Sequence, residues 1–162
     1  MSTIRTLLLI LASIMFIVVV GGATYEHSTM VPRWASAVPA SLAMFQGEYA
    51  AVPFRFWVPI HPITVALLVV ALSVNWKTER RNFVLLALGG YLVALGATFL
   101  FFVPELLAIT QSTYGPAIDP ALTRRAQLWQ ALSLVRLGWM VLVAVILLLG
   151  LSRSGEPKAA PG

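Results

Sequence analysis

The sequence has no cysteine, only two histidines and only six acidic residues among 162. The first absence excludes disulfides, thiolate nucleophiles and every Cys-ligated zinc or iron–sulfur site. Charged residues of both signs make up 10% of the chain, against about 25% in an ordinary soluble domain. That is too few to clothe a water-facing surface. Also missing are a glycine-rich phosphate loop, a Gly-x-Ser-x-Gly nucleophile elbow, a CxxCH haem motif, and any His-x-x-x-His or Glu-x-x-His pair that would hold a metal from one helix. There is no internal repeat, and no polar stretch is long enough for a separate soluble domain.

What is present is apolar: 59% of the residues are hydrophobic. Four runs, at about 6–23, 57–76, 82–104 and 127–152, match the roughly 20 residues needed to cross a hydrocarbon core about 30 Å thick. Lipid offers backbone N–H and C=O groups no partner, so these runs should be helices. The sequence therefore predicts an all-α fold, a four-helix transmembrane bundle with an aromatic-rich outer loop between helices 1 and 2. Residues 1–153 form its single domain, and 154–162 read as a disordered cytoplasmic tail. The N-terminal run imitates a signal peptide, with Arg5, an apolar stretch and Gly21-Gly22-Ala23. Its length and its lack of an Ala-x-Ala site predict a retained helix.

The basic residues sort by membrane face. Arg5, Lys77, Arg80, Arg81, Arg153 and Lys158 fall on one side, and Arg33, Arg55, Arg124 and Arg125 on the other. Balanced against their acids, the faces carry roughly +4 and +1, which predicts cytoplasmic termini, with a bacterial inner membrane as the expected location. The net charge of +5 is thus read as a topology signal, not as a surface for nucleic acid.

One residue interrupts the last run. In WQALSLVRLGW, from Trp129 to Trp139, Arg136 stands fifteen rises before Leu151, roughly 22 Å along a helix. A charge at such depth should face the protein interior, pair with a carboxylate or stretch to the interface. His61 lies at a similar depth, thirteen rises or roughly 20 Å before Val74. Glu26 and His27 end the first run, and Thr98, Phe102 and Glu105 fall at i, i+4 and i+7 in the third. These groups gather at the outer end of the bundle. Trp57, Phe102, Trp129, Tyr25 and the loop aromatics are expected to wall a pocket there for a hydrophobic small molecule. If Arg136 is buried, Glu105 is its first expected partner and Glu26 its second. The bland readings are a snorkelled Arg136, a His61 held by a backbone carbonyl, and a solvated Glu26 and His27.

With these residues in view, the chain resembles the anthrone-oxygenase-like family of small four-helix membrane proteins, many of whose members carry only a domain-of-unknown-function label. The carrier is Trp129-x-x-x-Ser133-x-x-Arg136, which is similar to the family's W-x-x-x-N-x-x-R pattern, with Ser133 in place of Asn. The four-span layout, the large loop after the first helix and Phe102-Val103-Pro104 support it. The resemblance implies oxidation of a polycyclic anthrone to a quinone by molecular oxygen, with no bound cofactor. Within it, our own assignment makes His61 the base and Arg136 the stabiliser of an enolate or superoxide charge. Glu105 completes the catalytic group, and Trp129, Ser133, Phe102, Trp57 and Glu26 bind substrate.

Two further readings stay open. One is a non-catalytic accessory subunit of a larger membrane assembly or a homo-oligomer, with Gly89, Gly90 and Gly96 offered as a packing face. The other is a metal site at His27 and His61 with Glu26 or Glu105. The expected surroundings are in every case the lipid bilayer.

Overall fold

The computed structural model describes residues 2–156, and of Ser2 the backbone alone. The expected disordered tail lies, from residue 157 on, outside the described residues. The chain is helical throughout: α1 (Ser2–Thr29), α2 (Val31–Trp34), a 3-10 segment (Ala40–Phe45), α3 (Phe54–Val74), α4 (Arg81–Ala97), a π-helical turn (Thr98–Phe102), α5 (Val103–Thr110) and α6 (Pro120–Leu151). Four stretches are long and apolar enough to cross a membrane: α1, α3, the continuous α4–π–α5 unit and α6. The protein is an integral membrane four-helix bundle.

The helix ends overrun the apolar runs because capping chemistry, not hydropathy, sets them. Asp119 stands in extended backbone and its Oδ1 accepts from the N–H groups of Ala121 and Leu122, while Pro120 occupies the first helical position. α6 therefore begins seven residues before its expected span. Its buried residues, Ala126, Trp129, Ser133, Met140, Val143, Leu147 and Gly150, recur every three or four positions. Arg136 occupies the one missing beat of that inward stripe.

The π-turn has a local cause. Pro104 offers no N–H to the carbonyl four residues back, and its ring would clash with that carbonyl in a regular helix. Widening the turn just before it relieves the conflict. In α3, Pro59 and Pro62 similarly leave the carbonyls of Arg55 and Val58 without an N–H four residues on.

Two packed regions result. The larger joins Leu9, Phe16, Leu68, Tyr91, Val143 and Leu147 from all four spans. Close approach here needs small residues: a methyl on Gly90 would meet Val143 at 2.7 Å, and one on Gly22 would meet Phe56 at 2.6 Å. Gly89 and Gly96, expected in the same packing face, have nothing near them. The smaller region is the lid. Val31, Trp34, Ala35, Val38 and Leu42 pack on Phe102, Ile109, Ala126 and Trp129. The lid is pinned by Asp119 N–H to the Val38 carbonyl and by Val38 N–H to the Thr123 hydroxyl. Within the lid, Ser41 donates to the Trp34 carbonyl and accepts from Ala37 N–H.

At the opposite end the termini meet. Arg80, only 6% exposed, donates from Nε to the Arg153 carbonyl and from Nη1 to Thr6 Oγ1. Arg5 reaches the Gly155 carbonyl. The buried Asn75 amide donates to the carbonyls of Ala71 and Arg5.

Candidate functional site

Between the two packed regions lies a cavity of about 410 Å³, a volume typical of small-molecule sites. α1 contributes Val19, Ala23, Glu26 and His27; α3 contributes Phe54, Trp57, Val58, His61 and Pro62. The third span adds Tyr91, Ala94, Leu95, Thr98, Phe99, Phe102, Val103 and Leu106, and α6 adds Trp129, Ser133, Arg136, Leu137 and Met140. Its walls are mostly apolar, with polar groups entering from all four spans.

Arg136 turns inward. Its Nη1 donates to Thr98 Oγ1 at 2.8 Å, and its Cζ lies 4.1 Å from the centroid of the Phe102 ring. Both partners belong to the π-turn, which sets a hydroxyl and an aromatic face against one guanidinium. Among the described residues Nε and Nη2 make no hydrogen bond. Glu26, the second expected partner, lines the same cavity but makes no ion pair with Arg136. Glu26 Oε1 instead accepts from Trp57 Nε1 at 2.8 Å.

The two histidines sit in contrasting hydrogen-bond settings. At His27, Nδ1 lies 2.8 Å from the Ala23 carbonyl, which can only accept, so Nδ1 carries a proton. Nε2 lies 2.5 Å from Ser133 Oγ, and that hydroxyl also donates to the Gln130 carbonyl at 3.0 Å. At His61, Nδ1 lies 2.7 Å from the Tyr91 hydroxyl. The buried Thr64 hydroxyl donates to the Ile60 carbonyl at 2.7 Å. The ring tautomer sets the direction of the His61–Tyr91 bond: with the proton on Nδ1, His61 donates to Tyr91 and Nε2 keeps its lone pair. Nε2 has no partner among the described residues. Among the described residues the one sealed, unpartnered side-chain polar atom is Asn75 Oδ1, so His61 Nε2 is reachable from the cavity. The ring is held in plane by Trp57, stacked at 5.4 Å and 21°.

Trp129 is the roof. Its Nε1 donates to the Phe102 carbonyl, Phe102 stands edge-on to it at 5.9 Å, and Trp34 of the lid packs above at 5.3 Å. No residue between 28 and 53 lines the cavity. Of the loop aromatics expected in the pocket wall Phe54 is there, at the start of α3, whereas Trp34, Phe45, Tyr49, Phe56 and the outward-facing Tyr25 are absent from it.

Of the residues singled out in the sequence, His61, Arg136, Trp129, Ser133, Phe102, Trp57 and Glu26 all come together at this cavity. Glu105 does not join them. It is held in a bidentate pair by Arg125, Nε to Oε1 at 2.8 Å and Nη2 to Oε2 at 2.9 Å, on the outer side of the α5–α6 contact. The expected Glu105–Arg136 pair is thus corrected. The π-turn inserts one residue into the helical register and rotates the residues beyond it by about 100°. Glu105 leaves the face it would share with Thr98 and Phe102 in an unbroken α-helix. Among the described residues no three of His, Asp and Glu converge as metal ligands. His27 and His61 each use a ring nitrogen on a protein group.

Tyr91 and Thr98 take part in the site without having been singled out as its members. A tyrosine in mid-span, ten residues beyond Arg81, was the available signal for the first of these. Compared with known proteins, the chain matches no family model, no curated protein and no solved structure.

Proposed function

We propose that this integral membrane protein is an oxygenase that converts an enolisable, lipid-soluble polycyclic ring to the corresponding quinone with molecular oxygen. One observation carries the reading. The same apolar cavity is lined by His61, whose Nδ1 is engaged by the Tyr91 hydroxyl while Nε2 is left without a partner among the described residues, and by the guanidinium of Arg136, with one donor on Thr98. The Trp129-x-x-x-Ser133-x-x-Arg136 resemblance points the same way.

The flat substrate lies between the aromatic walls formed by Trp57, Phe102 and Trp129. His61 Nε2 removes a proton from the methylene carbon conjugated to the ring carbonyl, and the resulting enolate oxygen is stabilised by Arg136. The electron-rich carbon reduces oxygen and forms a C–O bond, giving a hydroperoxide that takes its proton from the His61 imidazolium. Loss of water leaves the second carbonyl. One oxygen atom enters the product and the other leaves as water, so one methylene and one O₂ give one carbonyl and one H₂O. The Tyr91 hydroxyl positions His61 by accepting from Nδ1–H in the tautomer that leaves Nε2 as the base. Glu105, paired with Arg125, holds α5 to α6 rather than reaching the substrate.

The test is purified protein in detergent supplied with anthrone. Oxygen uptake should match quinone formation one to one, and His61→Ala and Arg136→Leu should each abolish it. Full turnover in either variant rejects the assignment.

A second reading has one observation in its favour. Gly89 and Gly96 leave an open strip on the lipid-facing side of α4, which suits a packing face in an accessory subunit. Gly89→Leu would then dissociate a complex without affecting oxygen uptake. For orientation, the charge balance supports termini on the cytoplasmic side, which a cysteine introduced near Arg5 and labelled from either side would test in this cysteine-free chain.

A further inference from the structure

The lid end is closed above the cavity, because Trp129 and Phe102 form its roof and the lid packs on their far side. The side is not closed. α3 packs on α1 and meets the third span along α4, but makes no comparable packing with the π-turn or α5. Val58 and Phe99 flank that interval. Both line the cavity, yet they are 67% and 62% exposed. A residue that faces a cavity and the bilayer at once marks the mouth between them. The two devices that shape this mouth are both proline-driven: Pro62 beside the Val58 carbonyl, and the π-turn ahead of Pro104.

We infer that the cavity is loaded sideways from the hydrocarbon core, through the slot between Val58 and Phe99, and that its ligand is a single-tailed aromatic amphiphile. The oxygenated ring lies at Arg136 and the tail remains in the bilayer through the slot. Three observations specify this ligand. The free Nε and Nη2 of Arg136 call for a ring oxygen. The stacked aromatic walls call for a flat head. The volume of about 410 Å³ suits a fused ring system, while a long chain has to leave by the slot. Loading from lipid goes beyond the oxygenase reading and does not depend on it, because it concerns binding alone.

The test uses the full chain in lipid nanodiscs with two non-reacting probes, 2-methyl-1,4-naphthoquinone and the same ring carrying an isoprenoid tail. Binding is read as saturable quenching of tryptophan fluorescence, with Trp57 and Trp129 in the cavity wall. A tail that stays in lipid whether free or bound costs nothing, so both probes should bind the parent protein equally per mole of lipid. Val58→Phe fills the slot and should weaken the tailed probe about tenfold or more, leaving the tail-less ring unchanged. That retained binding also reports that the variant is folded. Val58→Leu should give a smaller loss of the same kind. Leu100→Phe, beside the slot but outside the lining, should change neither probe.

Failure of the tailed probe to bind the parent protein overturns the inference, as does a Val58→Phe effect that is equal for both probes or absent for both. Neither probe is turned over and the readout is binding alone, so a failure here and a failure of the oxygenase reading are separate outcomes.

Discussion

At the end that carries the termini, Arg80 is buried against protein: its donors meet the Arg153 carbonyl and the Thr6 hydroxyl, and three segments of chain close around it. At the lid end Arg136 lies in the same bundle, yet it makes one hydrogen bond, stacks on one ring and turns its remaining donors to a cavity. Both are cations in a low-dielectric setting, where an unsatisfied charge is costly. The difference lies in what satisfies them. A guanidinium answered by backbone carbonyls and hydroxyls holds helices together, whereas one left half-answered inside a hollow is available to something that arrives later.

The sharpest way to break this comparison is to remove the groups of the hollow end. His61→Ala should lower turnover about 10²- to 10⁴-fold, the range for loss of a positioned base. Arg136→Leu should lower it about 10²- to 10³-fold, as for loss of an oxyanion donor. Neither should lower the melting temperature in detergent, and Arg136→Leu should raise it, since an incompletely paired charge leaves the interior. Next in size, Tyr91→Phe removes the acceptor for His61 Nδ1–H and frees the ring to flip or change tautomer. Turnover should fall about tenfold, the worth of one hydrogen bond, while quinone binding measured by quenching stays intact.

Arg80→Leu tests the other side. It should leave turnover per folded molecule unchanged and cost about 1–3 kcal/mol of stability, because the two hydrogen bonds of the buried guanidinium are lost. It should also speed proteolysis of the C-terminal segment. The smallest effect is expected at Glu105→Gln. Its pairing with Arg125 is exposed and screened, so neither turnover nor melting should move. Loss of turnover there would place Glu105 in the chemistry despite its position.

Much of this contrast was legible in the sequence. Trp129, Ser133 and Arg136 share one helical face at i, i+4 and i+7, and the match in depth with His61 came from counting rises, while burial or snorkelling of Arg136 stayed open. Asp119 before Pro120 is a local signal of the same kind for a helix start. What was not legible depended on broken periodicity or on contacts remote in the chain. Glu105 was misplaced because 3.6 residues per turn does not hold through Pro104, where the helix widens. Arg80 read as one more topology charge, since nothing local announces that the carbonyl of Arg153, 73 residues on, will receive it. The His27–Ser133 hydrogen bond joins groups 106 residues apart and left no trace in spacing.

The Arg80 clasp also bears on how the protein is made. Its acceptor at Arg153 emerges from the ribosome only after the whole of α6, so while the first three spans are already in the membrane, this guanidinium is waiting for a partner. Synthesis runs from the N-terminus, and the clasp therefore closes last. A chain stalled or cut within α6 would keep the Thr6 contact but leave Arg80 Nε without the carbonyl that receives it in the finished bundle.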